Sequence, residues 1–180
     1  MEQINYNVDK INQELKGWDG GKYFGQWETD KVIESYFPQQ DSGVCVEVGA
    51  ADGVRGSNTL YFEKLGWKTL CIEPNPKQFN SLENHRKNIA QCAISDKAGR
   101  MKLTVFDVGE KNIMSSLTSL SPDKRLVKDH SHIINDSYDI EVDVFTLPRV
   151  LQENKVSNKI DFISIDTEGT EINVLRGMDF

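Results

Sequence analysis

The chain alternates short apolar runs with amphipathic segments, and this alternation limits the folds that it can adopt. Apolar and β-branched residues form runs at 44–48, 68–73 and 89–94, which predict three short strands. The segments between them, 58–65 and 76–86, predict helices. Strands and helices that alternate at such short intervals are typical of right-handed β-α-β units. We therefore predict an α/β fold with a mostly parallel sheet.

The second half of the chain is less regular. Residues 101–106 and 140–145 alternate apolar and polar side chains, so each predicts a half-buried strand. The polar stretch 107–139 between them predicts a long loop, which is usually functional or mobile. The remaining predicted elements are a helix, a strand and a helix that Gly177 caps, at residues 147–154, 160–165 and 168–176.

The N-terminal part of the sequence predicts a helical segment over residues 1–40, ahead of a domain over 41–180. Apolar residues at helical spacing predict a surface helix within 2–16. Residues 29–37 predict a second helix, which Pro38 ends.

Composition narrows the class of protein. The net charge of −7 and the pI of about 5.0 argue against nucleic acid as a partner, because an acidic surface repels phosphates. Cys45, Cys71 and Cys92 each lie in an apolar run, which predicts buried thiols in a reducing, cytoplasmic compartment. No apolar run is long enough to span a bilayer, and the N-terminus lacks a signal-peptide pattern, so we expect no membrane span.

A predicted strand leads into a glycine-containing turn at residues 46–53. Ligands of doubly wound sheets bind beyond the carboxyl ends of the strands, and glycine lets a ligand approach the backbone. No glycine stands two residues after Gly49, so the turn lacks the dinucleotide fingerprint. Glu73 ends the second strand about 20 residues after Gly53, where such folds place an acid on ribose hydroxyls. These features predict a nucleoside cofactor that has no phosphate and carries a cationic centre.

Two carboxylates and two histidines are candidates for catalysis. Asp166 and Glu168 follow a predicted strand and can serve as a base, as metal ligands or as acids at a helix start. Two acids fall short of a full oxygen shell, so we predict no metal. His130 and His132, in the long loop, are alternatives as a general base or are simply solvated.

Several motifs, in this order and at these intervals, resemble the FkbM family of S-adenosylmethionine (SAM)-dependent O-methyltransferases. The block Asp-Thr-Glu-Gly-Thr-Glu at 166–171 is the most specific to that family. The segment 24–37 resembles the lead-in of the family. The other matching stretches lie at residues 46–53, 57–59, 63, 66–67, 72–76, 93–96 and 174–177.

The resemblance implies a Rossmann-like fold in which the glycine turn holds SAM. It implies that Glu73 binds the ribose hydroxyls and that Asp96 accepts a hydrogen bond from the adenine amino group. Asp166 would lie beside the methyl donor and is our candidate for the base, with His130 or His132 as the rival. The full set of expected cofactor-binding residues is Glu47, Gly49, Ala50, Asp52, Gly53, Asn58, Glu73, Pro74, Ser95, Asp96 and Asp166.

The implied reaction is methylation of a hydroxyl on a sugar or another secondary metabolite. Family members usually continue beyond the point where this sequence stops, so we expect the last strands of the sheet to be missing. A catalytically incomplete SAM-binding module, or a fragment that needs a partner subunit, is the alternative, and a homo-oligomer is possible. A nicotinamide-dependent enzyme and a structural protein that only keeps the fold are further alternatives.

Overall fold

The structure is a computed structural model, and it confirms the predicted α/β class. It describes residues 22–108, 117–121, 127–128, 130–157 and 159–178. The predicted helix within 2–16 lies outside the described residues.

The first sheet contains four parallel strands. They are β1 (Val44–Val48), β2 (Lys68–Ile72), β3 (Ile89–Ala90) and β8 (Phe162–Ile165), in the order β3-β2-β1-β8. Strand β1 is therefore central, and its Val48 pairs with Ile72 on one side and Ile165 on the other. This register places the carboxyl ends of β2, β1 and β8 side by side.

Helices connect the strands close to where the sequence predicts them. They are α1 (Thr29–Glu34), α2 (Leu60–Lys64), α3 (Pro76–Leu82), α4 (Leu147–Glu153) and α5 (Glu171–Arg176). The side chain of Asn75 accepts a hydrogen bond from the Lys77 amide, and Pro76 occupies the first turn, so α3 begins where its capping residues dictate. Several helices are shorter than predicted, because their predicted ends form turns.

The second sheet is built on a long antiparallel pair. Its strands are β4 (Ala93–Ile94), β5 (Gly99–Asp107), β6 (Leu117–Ser119) and β7 (Asp136–Phe145), in the order β4-β7-β5-β6. The two predicted half-buried strands are confirmed as β5 and β7, and both are longer than predicted. Leu103 and Val142 are buried, whereas Arg100 and Glu141 are exposed, as period-2 alternation requires.

Two predictions for the middle of the chain are wrong. The run 89–94 is not one strand: Ala90 pairs with Ile72 in the first sheet, and Ala93 pairs with Val144 in the second. The stretch 107–139 is not a continuous loop, because β5 and β7 extend into it and β6 lies within it.

Hydrophobic clusters cover both faces of the parallel sheet. Val46 and Val48 face one cluster, which α4 and α5 cover with Leu147, Val150 and Val174. The other face carries an aromatic cluster centred on Phe62. Its other members include Tyr61, Trp67, Phe37 and Phe162.

The three cysteines are buried free thiols, as predicted. Cys45 and Cys71 lie in β1 and β2, whereas Cys92 lies between β3 and β4 rather than inside a strand. Within the described part of the chain, no helix combines the length and apolar character needed to cross a membrane.

Replacing Phe62 should test the importance of the aromatic cluster. Phe62 is 1% exposed, and its ring centroid lies 4.9 Å from that of Trp67 and 4.8 Å from that of Phe162. We expect Phe62→Ala to lower the free energy of unfolding by about 3–5 kcal/mol in chemical denaturation, because it leaves a cavity. Tyr36→Ala is the control, since Tyr36 is 76% exposed. Equal losses for the two variants would contradict the assignment.

Candidate functional site

A cavity of about 650 Å³ opens at the carboxyl ends of β1, β2 and β8. It is lined by residues 47–51 at the end of β1, 72–74 at the end of β2 and 166–168 after β8. Its volume suits a small organic ligand. The cavity lies where doubly wound sheets bind their ligands, beyond the strand ends.

The turn after β1 makes a close backbone contact at Gly49. Gly49 has φ +86°, and a Cβ there would lie 1.8 Å from the carbonyl oxygen of Asp166. The amides of Gly49 and Ala50 both donate to the carbonyl of Ile72, at 2.9 and 3.0 Å. The missing Cβ therefore lets the end of β8 approach the end of β1, whereas the sequence analysis expected it to admit a ligand.

Gly53 has a packing role on the other side of the turn. Its φ is +76°, and a Cβ there would lie 2.4 Å from Leu82 Cδ1 and 2.7 Å from Arg86 Cγ. The residue faces α3 and the turn that follows it, and it does not line the cavity.

Glu73 lies at the end of β2, is 3% exposed and lines the cavity. Its two carboxylate oxygens accept hydrogen bonds from the amides of Ala51 (2.9 Å) and Asn75 (2.8 Å). Burial raises the pKa of Glu73 to about 7, although the two amides oppose the shift and Asp52 adds to it. Each oxygen accepts one bond from the protein, so the carboxylate can accept more from a ligand.

Glu47 is held by a buried network that the sequence analysis missed. Its carboxylate accepts hydrogen bonds from the Asn58 amide and from the Ser57 and Thr59 hydroxyls, each at 2.7 Å. Arg86 Nη1 lies 3.5 Å from the same carboxylate and donates to the Gly53 carbonyl at 2.9 Å. Arg86 therefore ties the turn after β1 to α2 and α3. No motif marked Arg86, because in the sequence it stands at the polar end of the helix predicted over 76–86.

The loop after β8 is held by Glu171. Its Oε1 accepts hydrogen bonds from the Thr167 amide (2.9 Å), the Thr167 hydroxyl (3.2 Å) and the Gly169 amide (3.1 Å). Burial disfavours the charge of Glu171, but these bonds outweigh it and lower the pKa. Glu171 is the acid of the first turn of α5, a role that the sequence left open for Glu168.

Asp166 and Glu168 line the cavity, and their carboxylates accept no hydrogen bond within the part of the chain that the structure describes. Desolvation and Glu171 raise the pKa of Asp166, although its side chain stays accessible through the cavity. Burial raises the pKa of Glu168 to about 7, with repulsion from Asp166 adding to the shift and His130 opposing it. Among the described residues, no three His, Cys, Asp or Glu side chains form a group that could hold a metal ion.

The N-terminal part contributes a wall that the sequence analysis did not assign to the site. Residues 25–29 line the cavity, and Gly25 forms an isolated bridge with Gly56. The buried carboxylate of Asp30 anchors this wall by accepting from the Phe24 amide at 2.6 Å. Trp27 has φ +59° and is 88% exposed. The wall was missed because residues 1–40 were assigned to a separate helical segment.

The structure brings most of the predicted cofactor residues to the cavity. Asp52, Ser95 and Asp96 do not line it: Asp52 accepts from the Val54 and Arg55 amides, and the backbone of Ser95 and Asp96 packs against Gly177. The predicted residues that do line it are Glu47, Gly49, Ala50, Asn58, Glu73, Pro74 and Asp166.

The two candidate histidines lie outside the cavity lining. His130 is near enough to Glu168 to oppose the rise in the pKa of that carboxyl group. His132 is exposed in the turn two residues further along the chain. Of the predicted catalytic residues, Asp166 is the one that lines the cavity.

Comparison with known proteins points to methyltransferases. The model of the methyltransferase FkbM domain matches residues 47–180. The chain is 23% identical over 154 residues to a protein named Methyltransferase 1 from Beauveria bassiana (strain ARSEF 2860). The matched region covers 79% of this chain and 61% of that protein. The chain thus spans about three fifths of the length of this relative. No solved structure gives a significant match.

Two glycine substitutions distinguish the stability lost through the close contact at Gly49 from the stability lost through a positive φ alone. Gly49 and Gly66 have φ +86° and +100°, but no atom lies within 4 Å of a Cβ added at Gly66. We expect Gly66→Ala to cost about 1–2 kcal/mol of unfolding free energy. Gly49→Ala should cost on the order of 4 kcal/mol or more, because the Asp166 carbonyl cannot move without parting β1 from β8. Similar losses in chemical denaturation would disprove the contact.

The acids of the cavity predict how stability depends on pH. The pKa values of Glu73 and Glu168 rise from 4.5 to about 7 on folding, so the folded ligand-free protein binds more protons than the unfolded chain in this range. The free energy of unfolding should therefore fall as pH rises from about 4.5 to about 7. Thermal denaturation should show a melting temperature several degrees lower at pH 7.5 than at pH 5.5.

The variants Glu73→Gln and Glu168→Gln supply the control for this pH dependence. Each removes one titrating group, so each should flatten the decline. A wild-type melting temperature that stays constant or increases over this range would contradict the assigned shifts.

Proposed function

Because the chain belongs to the FkbM methyltransferase family, we propose that its cavity binds SAM and that the protein transfers the methyl group to a hydroxyl of a sugar or another secondary metabolite. The observation that carries this proposal is the charge of the cavity lining. Among the described lining residues the only base is Arg55, and the acids are Glu28, Glu47, Glu73, Asp166 and Glu168.

This charge distribution discriminates between nucleoside cofactors. An acidic lining repels the pyrophosphate of a dinucleotide, and the turn after β1 lacks the glycine spacing that such a group requires. Arg55 is already engaged, since its Nε lies 3.6 Å from the Asp52 carboxylate. SAM has no phosphate and carries a sulfonium, so its charge complements the lining.

The residues at the end of β2 suit the sugar of the cofactor. Glu73 is fixed by two backbone amides and retains acceptor capacity toward the cavity. A ribose diol presents two hydroxyl donors, and a carboxylate can accept both. Pro74 lines the cavity next to Glu73, and Ala93 and Ile94 line another part of it. We assign these apolar groups to the nucleoside.

Methyl transfer requires positioning and removal of one proton. SAM, when bound, supplies a methyl group that is already activated by the positive charge on sulfur. The chain must hold the acceptor oxygen in line with that methyl group and exclude water, and such positioning contributes several kcal/mol. The acceptor hydroxyl also loses its proton, and we assign Asp166 to accept it, because it lines the cavity and its carboxylate has no partner there.

Calorimetric titration tests the cofactor assignment. The protein should bind SAM and S-adenosylhomocysteine (SAH) and should give no binding heat with NAD. Glu73→Gln should weaken both adenosyl ligands roughly tenfold to 100-fold, because a hydrogen bond to a charged group contributes about 1.5–3 kcal/mol. Glu83→Gln is the matched control, since Glu83 is exposed at the end of α3.

Three results would count against the proposal. Tighter binding of NAD than of SAM would overturn the cofactor class. An affinity for SAM within about twofold of wild type in Glu73→Gln would overturn the ribose assignment. Tight SAM binding with no turnover on any hydroxyl acceptor would favour a SAM-binding module without catalysis.

A further inference from the structure

We infer that Asp166 and Glu168 form a carboxylate pair that selects the charged methyl donor over its neutral product, so that the cavity prefers SAM to SAH. The inference rests on the proposed function and adds to it the residues that distinguish substrate from product. SAM and SAH differ by one methyl group and one positive charge. A protein can separate them by charge only where it presents charge that its own groups do not neutralise.

The backbone fixes the pair at the junction of the two sheets. The carbonyl of Asp166 packs against Gly49, which places Asp166 beside the turn after β1. The Ser119 hydroxyl donates to the carbonyl of Glu168 at 2.8 Å, which anchors Glu168 against the second sheet. The bonds that Glu171 accepts from Thr167 and Gly169 hold the loop between these anchors. The pair is therefore built into the fold.

Among the acids of the described lining, Asp166 and Glu168 receive the fewest donors from the protein. Glu47 faces Arg86, and Glu73 accepts two amide bonds, so the protein already supplies donors to both. Asp166 and Glu168 accept none from the described residues.

Among the described residues, neighbouring charges offset the charge of the pair only in part. Beyond the effect of burial, Glu171 repels the carboxylates of Asp166 and Glu168, which raises the pKa of both. His130 opposes that rise for Glu168. Arg55 in the described lining pairs with Asp52, and Arg86 behind the turn after β1 pairs with Glu63 at 2.9 Å, so both cations already have acidic partners. A sulfonium between the carboxylates would relieve their repulsion, whereas a neutral thioether would not.

The reaction itself keeps this charge in balance. The acceptor oxygen forms a bond to the methyl carbon as the carbon–sulfur bond breaks, and the electron pair of that bond stays on sulfur. The hydroxyl proton passes to a carboxylate of the pair. The ligand therefore loses its positive charge in the step in which the pair gains a proton. The departing product then leaves a pair with one negative charge fewer, and loss of that proton to solvent restores the preference for SAM.

The test is the ratio of the two dissociation constants, for SAH over SAM, measured by calorimetry at pH 7.5 on the full chain. The variants are Asp166→Asn, Glu168→Gln and the double variant. Glu153→Gln removes an exposed acid on α4 that pairs with Arg149 and lies outside the cavity lining, so it serves as the control. Binding of SAH shows whether the cavity of a variant is still folded, because a neutral thioether does not need the negative charge of the pair.

We expect wild type to prefer SAM. Each single variant should lower the ratio severalfold, and the double variant should lower it about tenfold or more, which corresponds to about 1.4 kcal/mol. SAH affinity, and the ratio of the control variant, should stay within about twofold of wild type.

The outcomes are distinguishable. An unchanged ratio in the double variant, with both ligands still bound, would overturn the role of the pair and leave the proposed function intact. A similar fall in the ratio for Glu153→Gln would show that overall charge, and not the pair, selects the donor, and would also overturn it. Failure of wild type to bind either ligand would refute the proposed function itself.

Discussion

The architecture of the site depends on how closely β8 can approach β1. The carbonyl of Asp166 occupies the space that a Cβ on Gly49 would need, so the two strand ends meet without a gap. The same turn is tied to β2 by the two amides that share the Ile72 carbonyl. Three strand ends are thereby fixed against one another by backbone alone. The side chains that follow them, Glu73 and Asp166 among them, reach one cavity without needing to contact each other.

Much of the fold could be predicted because local pattern and long-range pairing agree. The run Val44–Val48 is apolar except for Glu47 and is paired on both sides, as a central parallel strand must be. The run 89–94 was mispredicted because its two halves are equally apolar but pair in different sheets, and periodicity carries no information about partners. The extent of β5 and β7 was underestimated because their outer ends are polar on both faces.

A site residue could be predicted from the sequence where its residue type has a single explanation at its position. Glu73 at a strand end was found in this way. The roles of Arg86 and Glu171 were missed, because an arginine near a helix end and a glutamate at a helix start have ordinary explanations in sequence. Their functions follow from contacts with residues far along the chain, such as Arg86 with Gly53. Ser95 and Asp96, which a family motif placed near adenine, pack their backbone against Gly177 and do not line the cavity, so their role stays a prediction.

The wall over residues 25–29 holds two consecutive residues, Trp27 and Glu28, in the left-handed region. Such residues each cost of order 1–3 kcal/mol and persist only where their surroundings hold them. The indole of Trp27 stands in solvent at the rim of the cavity, whereas Trp67 is 3% exposed in the aromatic cluster. These two of the chain's three tryptophans therefore lie in different surroundings. Light emitted by Trp27 follows the state of the rim, and that of Trp67 follows the integrity of the core.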